Sequence, residues 1–195
     1  MLKFLSLFSC WLLLSGSISQ APLAAFPDTP TITEKSVGKA RIGMTVAKLK
    51  EVYKGCAFTP VHLGQFGFDD YGTKPNAVAV SYDRQRLFVF FPGGQANKVA
   101  GFFVLHPAYK TAAGIHVGST SGQLKAALPA VTVGPNEMMT EMQIAAIDVG
   151  DEHQPIIEYI FNKQGFLGKN KDSITPSKIA VLNAKISWIQ VFPNP

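Results

Sequence analysis

The sequence predicts an α+β protein of two tandem units. Each unit is a short helical segment followed by an antiparallel β-meander, the two joined in one continuous sheet with the helices on one face. Three observations predict this. First, Ile42-Gly43-Met44-Thr45-Val46-Ala47-Lys48-Leu49-Lys50 returns 75 residues later as Val117-Gly118-Ser119-Thr120-Ser121-Gly122-Gln123-Leu124-Lys125. Self-similarity of this kind marks a repeated supersecondary unit. Second, each copy precedes alternating apolar runs separated by turn residues, the signature of a meander. Third, a unit of about 75 residues is marginal alone, and pairing edge strands would remove an exposed edge.

The chain opens with Lys3, an apolar run from Phe4 to Leu14, and the small-x-small pattern Ser17-Ile18-Ser19. This reads as an export signal cut before Gln20. The run is too short to cross a bilayer, which takes roughly 20 apolar residues. Ser17 stands where a lipid-modified Cys would be needed, so no lipid anchor is expected. The expected organisation is therefore a signal peptide over 1–19, an extended Pro-rich leader over 20–36, a first unit over 37–110 and a second over 111–195. A short edge strand could close the leader.

In the first unit, Thr45 is a natural N-cap, because its hydroxyl can accept from a free N–H of the first turn. Val46, Leu49, Val52 and Tyr53 follow at helical spacing, predicting a helix over 46–54 that Gly55 stops. Strands are expected over 56–63, 77–82, 87–91 and 99–105, with turns at Asp83–Arg86 and Pro92–Gly94. In the second unit, Thr120 and Gln123 have capping-box spacing. Leu124, Ala127 and Leu128 form the apolar stripe, and Pro129 ends the helix. Strands are expected over 131–133, 143–149, 156–161 and 185–192. The run Lys98 to Phe102 matches Lys185 to Ile189 at an offset of 87, so the second unit carries about 12 extra residues, placed in the loop Gly165 to Lys178. Gly43 and Gly118 sit two residues before the caps, where a turn or close backbone approach is expected.

These helix starts, each followed by a meander, resemble the tandem α/β modules of the β-lactamase-inhibitor-protein-like fold. The Gly43-Met44-Thr45 opening is also similar to the small outer-membrane assembly lipoproteins of the SmpA/OmlA type. The resemblance covers Val37 to Phe192. It implies helices packed on one face of an antiparallel sheet whose other face or edge meets a protein partner. The chain departs from the lipoproteins in lacking the lipid-bearing Cys, and from the inhibitor proteins in lacking their disulfides.

The net charge is +5, spread along the chain. Nucleic-acid binding wants a dense basic patch with stacking aromatics, and here the aromatics alternate within apolar strands. No nucleic-acid partner and, after signal cleavage, no transmembrane segment are expected. Without Cys10, Cys56 is alone, cannot form an internal disulfide, and reads as an inert thiol. The four His have no metal-pair spacing. Asp148, Asp151 and Glu152 are the one local set that could hold a hard cation, but the segment reads better as a charged turn, so neither metal nor cofactor is expected. No Gly-x-Ser-x-Gly elbow exists. The resulting expectation is a noncatalytic protein-binding module, not an enzyme, of the bacterial envelope or secretome. It would be a monomer or weak dimer, periplasmic or extracellular, meeting its partner through Phe88, Phe90, Phe102, Tyr159 and Trp188. The alternatives are a carrier of a small ligand or lipid in an apolar sheet concavity, and an envelope-associated hydrolase. An exposed aromatic patch of more than a few hundred Å² would mark the binder, an apolar pocket of roughly 300–1,000 Å³ the carrier.

Overall fold

The structure is a computed structural model and describes residues 28–68, 74–93, 97–136, 139, 141–147, 155–168 and 176–193. Two sheets organise it. The smaller uses β1 (Thr31–Thr33), β2 (Ser36–Val37), β3 (Ala40–Arg41) and β8 (Lys110–Thr111), in the order β3-β2-β1-β8. Within it β1 runs parallel to β8, with Ile32 beside Thr111.

The larger sheet uses β4 (Ala57–Val61), β5 (Ala77–Tyr82), β6 (Gln85–Pro92), β7 (Val99–Val104), β9 (Thr132–Pro135), β10 (Met142–Ala146), β11 (Pro155–Asn162), β12 (Ser177–Lys178) and β13 (Trp188–Pro193). Its order is β12-β9-β10-β11-β13-β7-β6-β5-β4, and each neighbouring pair is antiparallel. The chain is thus an α+β protein dominated by one large antiparallel sheet. At its centre β13 pairs with β7, placing Ile189 beside Val104 and Val191 beside Phe102. One outer edge is β4, where Pro60 lacks an N–H, so that edge is a poor template for a further strand.

The helix expected over 46–54 is the shorter α1 (Val46–Val52); Tyr53 is its C-cap and the chain then turns. Helix α2 spans Ser121–Ala127. Thr45 accepts from the Lys48 N–H, and Thr120 with Gln123 forms a reciprocal capping box. Both helix entries are bound the same way. The Gly43 N–H donates to Val99 and the Gly118 N–H to Ile186, 2.8 and 2.9 Å. Val99 donates back to Met44 and Ile186 to Ser119, each at 2.9 Å. Gly43 and Gly118 have φ of 79° and 88°, left-handed backbone that favours glycine.

Because strand side chains alternate, the large sheet has two apolar faces, and both are covered. On the helix side, Leu49 of α1 and Leu124 of α2 pack with Phe88, Phe90, Phe102, Tyr159 and Ile189. The opposite face buries Val89, Phe103, Ile160 and Trp188 under a 3-10 turn, Leu63–Phe66. There Phe66 stacks on Phe103 at 4.4 Å between centroids and meets Trp188 edge-on at 5.6 Å.

Candidate functional site

The small sheet decides where a site can exist. Strand β1 alternates outward, inward, outward, so Ile32 is buried while Thr31 and Thr33 face water. Strand β8 does the same with Lys110 outward and Thr111 inward. Against the first half of the large sheet this layer closes tightly. Tyr53, the C-cap of α1, is buried and donates to the carboxylate of Asp28 and to the Val37 carbonyl, the latter at 3.2 Å. The Asp28 carboxylate also accepts from the Lys39 N–H at 3.0 Å and from the Tyr109 hydroxyl at 3.4 Å. Burial, with the other phenol and the carboxylate beside it, holds the Tyr53 phenol far above its ordinary pKa. Tyr109 is raised for the same first reason, desolvation. These phenols stay neutral and act as hydrogen-bond donors. Sequence reasoning did not find this cluster, since its members are separated by up to 81 residues.

Against the second half the same layer leaves a gap. The C-cap of α2 is Leu128, half-buried, 75 residues after Tyr53. Between it and the small sheet lies an apolar groove of about 410 Å³. Ile32 and Thr111 line it from the small sheet, Leu128 from the end of α2, Ile157 and Tyr159 from β11, and Ile147 from just after β10. Its rim is Thr33, Glu34, Ala112 and Ala113. Burial raises the pKa of the Tyr159 phenol, partly offset by its hydrogen bond with Thr111, so it lines the groove uncharged. Among the lining residues Glu34, exposed at the rim, is the one carboxylate.

Four of the five aromatic residues expected to meet a partner lie away from the groove. Phe88, Phe90 and Phe102 are wholly buried under the helix layer, and Trp188 is 5% exposed in the opposite core. Tyr159 is 3% exposed and reaches only the groove wall. The expectation of an exposed aromatic sheet face is therefore corrected. Alternation in the strands gives the sheet two apolar faces, and the 3-10 turn at Leu63–Phe66 covers the one away from the helices. Among the described residues the exposed large apolar side chains are Val181 and Leu182.

Asp148, Asp151 and Glu152 lie outside the described residues, as does the expected signal peptide over 1–19. Among the described residues no three His, Cys, Asp or Glu side chains gather as a metal ion would need, and no helix is long and apolar enough to cross a membrane. Cys56 is half-buried, and desolvation with the nearby Asp28 charge pushes its thiol up, away from a reactive thiolate. His106 is held below its ordinary pKa by burial, with Nε2 2.6 Å from Gln85 Oε1.

A second polar feature sits in the opposite core. The Trp188 indole N–H donates to Gln190 Oε1 at 3.1 Å, and Gln190 Nε2 donates to Glu158 Oε2 at 2.7 Å. Burial raises the Glu158 pKa, and the Gln190 hydrogen bond opposes the shift.

No family model matches the chain, and no curated protein matches it. Among solved structures it is similar to the crystal structure of the uncharacterized protein YfeY from Escherichia coli, with a TM-score of 0.51 and 15% identity, covering 83% of this chain and 99% of that one. At that identity the likeness shows a shared fold alone.

Proposed function

We propose that the chain is an exported, noncatalytic binding protein built from two copies of one helix-plus-meander unit, and that its groove receives the apolar part of a small ligand, such as an acyl chain. The two-copy reading is supported by the paired helix entries at Gly43 and Gly118, and by the bridges Thr45 to Lys98 and Thr120 to Lys185. These pairs reproduce the two sequence offsets, 75 at the helix starts and 87 at the final strands.

The groove is the observation that carries the ligand reading. Its volume of about 410 Å³ falls within the range of roughly 300–1,000 Å³ typical of small-molecule sites. Its floor offers aliphatic carbon and a neutral phenol, which suits desolvation of a hydrocarbon and gives no group to act on it. The phenols of Tyr53, Tyr109 and Tyr159 and the thiol of Cys56 are all biased toward their protonated forms, which does not favour a hydrolase. The test is titration of an environment-sensitive fluorescent fatty-acyl probe into the protein and into Ile157→Glu. A charge on the groove floor should abolish saturable binding while far-ultraviolet circular dichroism stays unchanged. Equal binding by the two proteins would remove the groove from consideration.

A further inference from the structure

Among the described residues, bases are densest on one part of the helix side of the large sheet. That part of the helix-side layer comprises residues 28–54, β8 and α2. It holds eight of the 18 Lys and Arg residues but three of the 13 Asp and Glu residues, an excess of +5. The described residues outside it hold seven Lys and Arg and three Asp and Glu, an excess of +4 over a much longer stretch of chain.

Burial alternation also tells which way these charges point. On the small sheet, Arg41 and Lys110 are exposed while their neighbours Ala40 and Thr111 face inward. On α1, Leu49 is the buried residue and Lys48, Lys50 and Glu51 are exposed, followed by exposed Lys54. Lys35 and Lys39 are exposed in the turns beside them. On α1, Lys48 contacts Glu51 at 3.0 Å, between two largely exposed side chains. An exposed pair of that kind neutralises little of the field.

We infer that this basic layer docks on an anionic lipid bilayer, from which the groove takes its acyl chain. The inference rests on the groove reading above and names where the ligand is collected. Two features point to lipid in preference to an acidic protein. The rim residues Thr33, Glu34, Ala112 and Ala113 belong to the same layer as the exposed bases, or to the turn that follows it. An anionic bilayer offers both matching components at one surface: negative headgroups, each neighbouring Lys or Arg contributing about 1 kcal/mol at low salt, and hydrocarbon just beneath.

The experiment is co-sedimentation of the full chain with vesicles of phosphatidylcholine alone, or with about one third phosphatidylglycerol. Three double reversals with the same change in charge are compared. Lys50→Glu with Lys54→Glu alters α1. Arg41→Glu with Lys110→Glu alters the small sheet. Arg84→Glu with Arg86→Glu alters the β5–β6 turn, outside the layer, as control. Both layer variants should lose affinity for anionic vesicles by roughly tenfold or more, and the control by less than about threefold. Binding should also fall steeply with salt. Equal sedimentation with neutral and anionic vesicles, no sedimentation with either, or equal losses in all three variants would overturn the inference. The acyl-probe titration run on the same variants separates the two ideas. Probe binding kept while vesicle binding never occurs removes the docking and leaves the groove; no probe binding by the unaltered protein removes the groove itself.

Discussion

The Tyr53 hydroxyl, at the C-cap of α1, donates to the carboxylate of Asp28, which stands 25 residues earlier in the chain. With the acceptances from Lys39 N–H and Tyr109 hydroxyl, one carboxylate binds the helix end, the β2–β3 turn and the approach to β8. Asp28→Ala removes the acceptor shared by two buried phenols and the Lys39 N–H and should cost about 2–3 kcal/mol, whereas Tyr53→Phe removes one donor and should cost about 1 kcal/mol. Urea unfolding midpoints check both; a smaller loss for Asp28→Ala than for Tyr53→Phe would refute the shared-carboxylate account. Gly38 has φ 57° and a Cβ there would fall on the Asp28 carboxylate, so Gly38→Ala should cost about 2–4 kcal/mol.

Gly43 and Gly118 invite a paired comparison. Both have positive φ, and a Cβ at either would meet nothing within 4 Å. The penalty for a branched side chain is then purely backbone strain, about 1–3 kcal/mol. Gly43→Val and Gly118→Val should therefore lower the thermal midpoint by similar amounts in calorimetry. A large loss at one position and none at the other would argue against two copies of one unit.

Leu128 and Tyr53 occupy the same C-cap position on the two helices. Where Tyr53 fills its corner, Leu128 borders the groove. Leu128→Tyr should place a ring in the groove and weaken acyl-probe binding by roughly tenfold or more, with stability changed by less than about 1.5 kcal/mol. Undiminished probe binding would show that the ligand sits elsewhere.

Glu158 supplies a pH dependence. Its pKa in the folded protein is raised, by desolvation first. A raised folded value means the native state holds the proton more tightly than the unfolded chain. The associated stability is present below the unfolded pKa, near 4.3 for Glu, and is lost as pH rises through the folded value. Glu158→Gln keeps an acceptor for Gln190 Nε2 without the charge. Its melting temperature should exceed that of the unaltered protein at about pH 8, the gap narrowing toward about pH 4. A constant gap across that range would mean the carboxylate is not the cause.

What was legible in the chain follows interaction range. Thr45, Thr120 and Gln123 act on N–H groups at most three residues away, and local pattern was enough to find them. Strand β5 matches its expected span, and β6 differs only in starting at Gln85 and including Pro92. Strand β9 starts at Thr132, β10 runs Met142–Ala146, and β13 starts at Trp188, because register with a distant neighbour sets where a ladder begins. The small sheet was hidden apart from a short closing strand. Its strands have two or three residues, too few for periodicity, and β1 finds β8 across nearly 80 residues. The groove follows from that sheet, so it was hidden too. Alternation placed Phe102 and Phe103 on opposite faces, but nothing local told that Phe66 would cover the second one.

Strand β13 is the last in chain order yet occupies an interior position, between β11 and β7. Until it is available, the nine-stranded sheet exists as two pieces, each ending in a raw hydrogen-bonding margin. The pairings that close it reach from Val191 back to Phe102, a separation that makes closure slow compared with helix or hairpin formation. Assembly is thus deferred to the final segment synthesised among the described strands. A nascent chain with that arrangement stays uncommitted for most of its elongation, and its exposed margins are the places where a holdase chaperone would have to work.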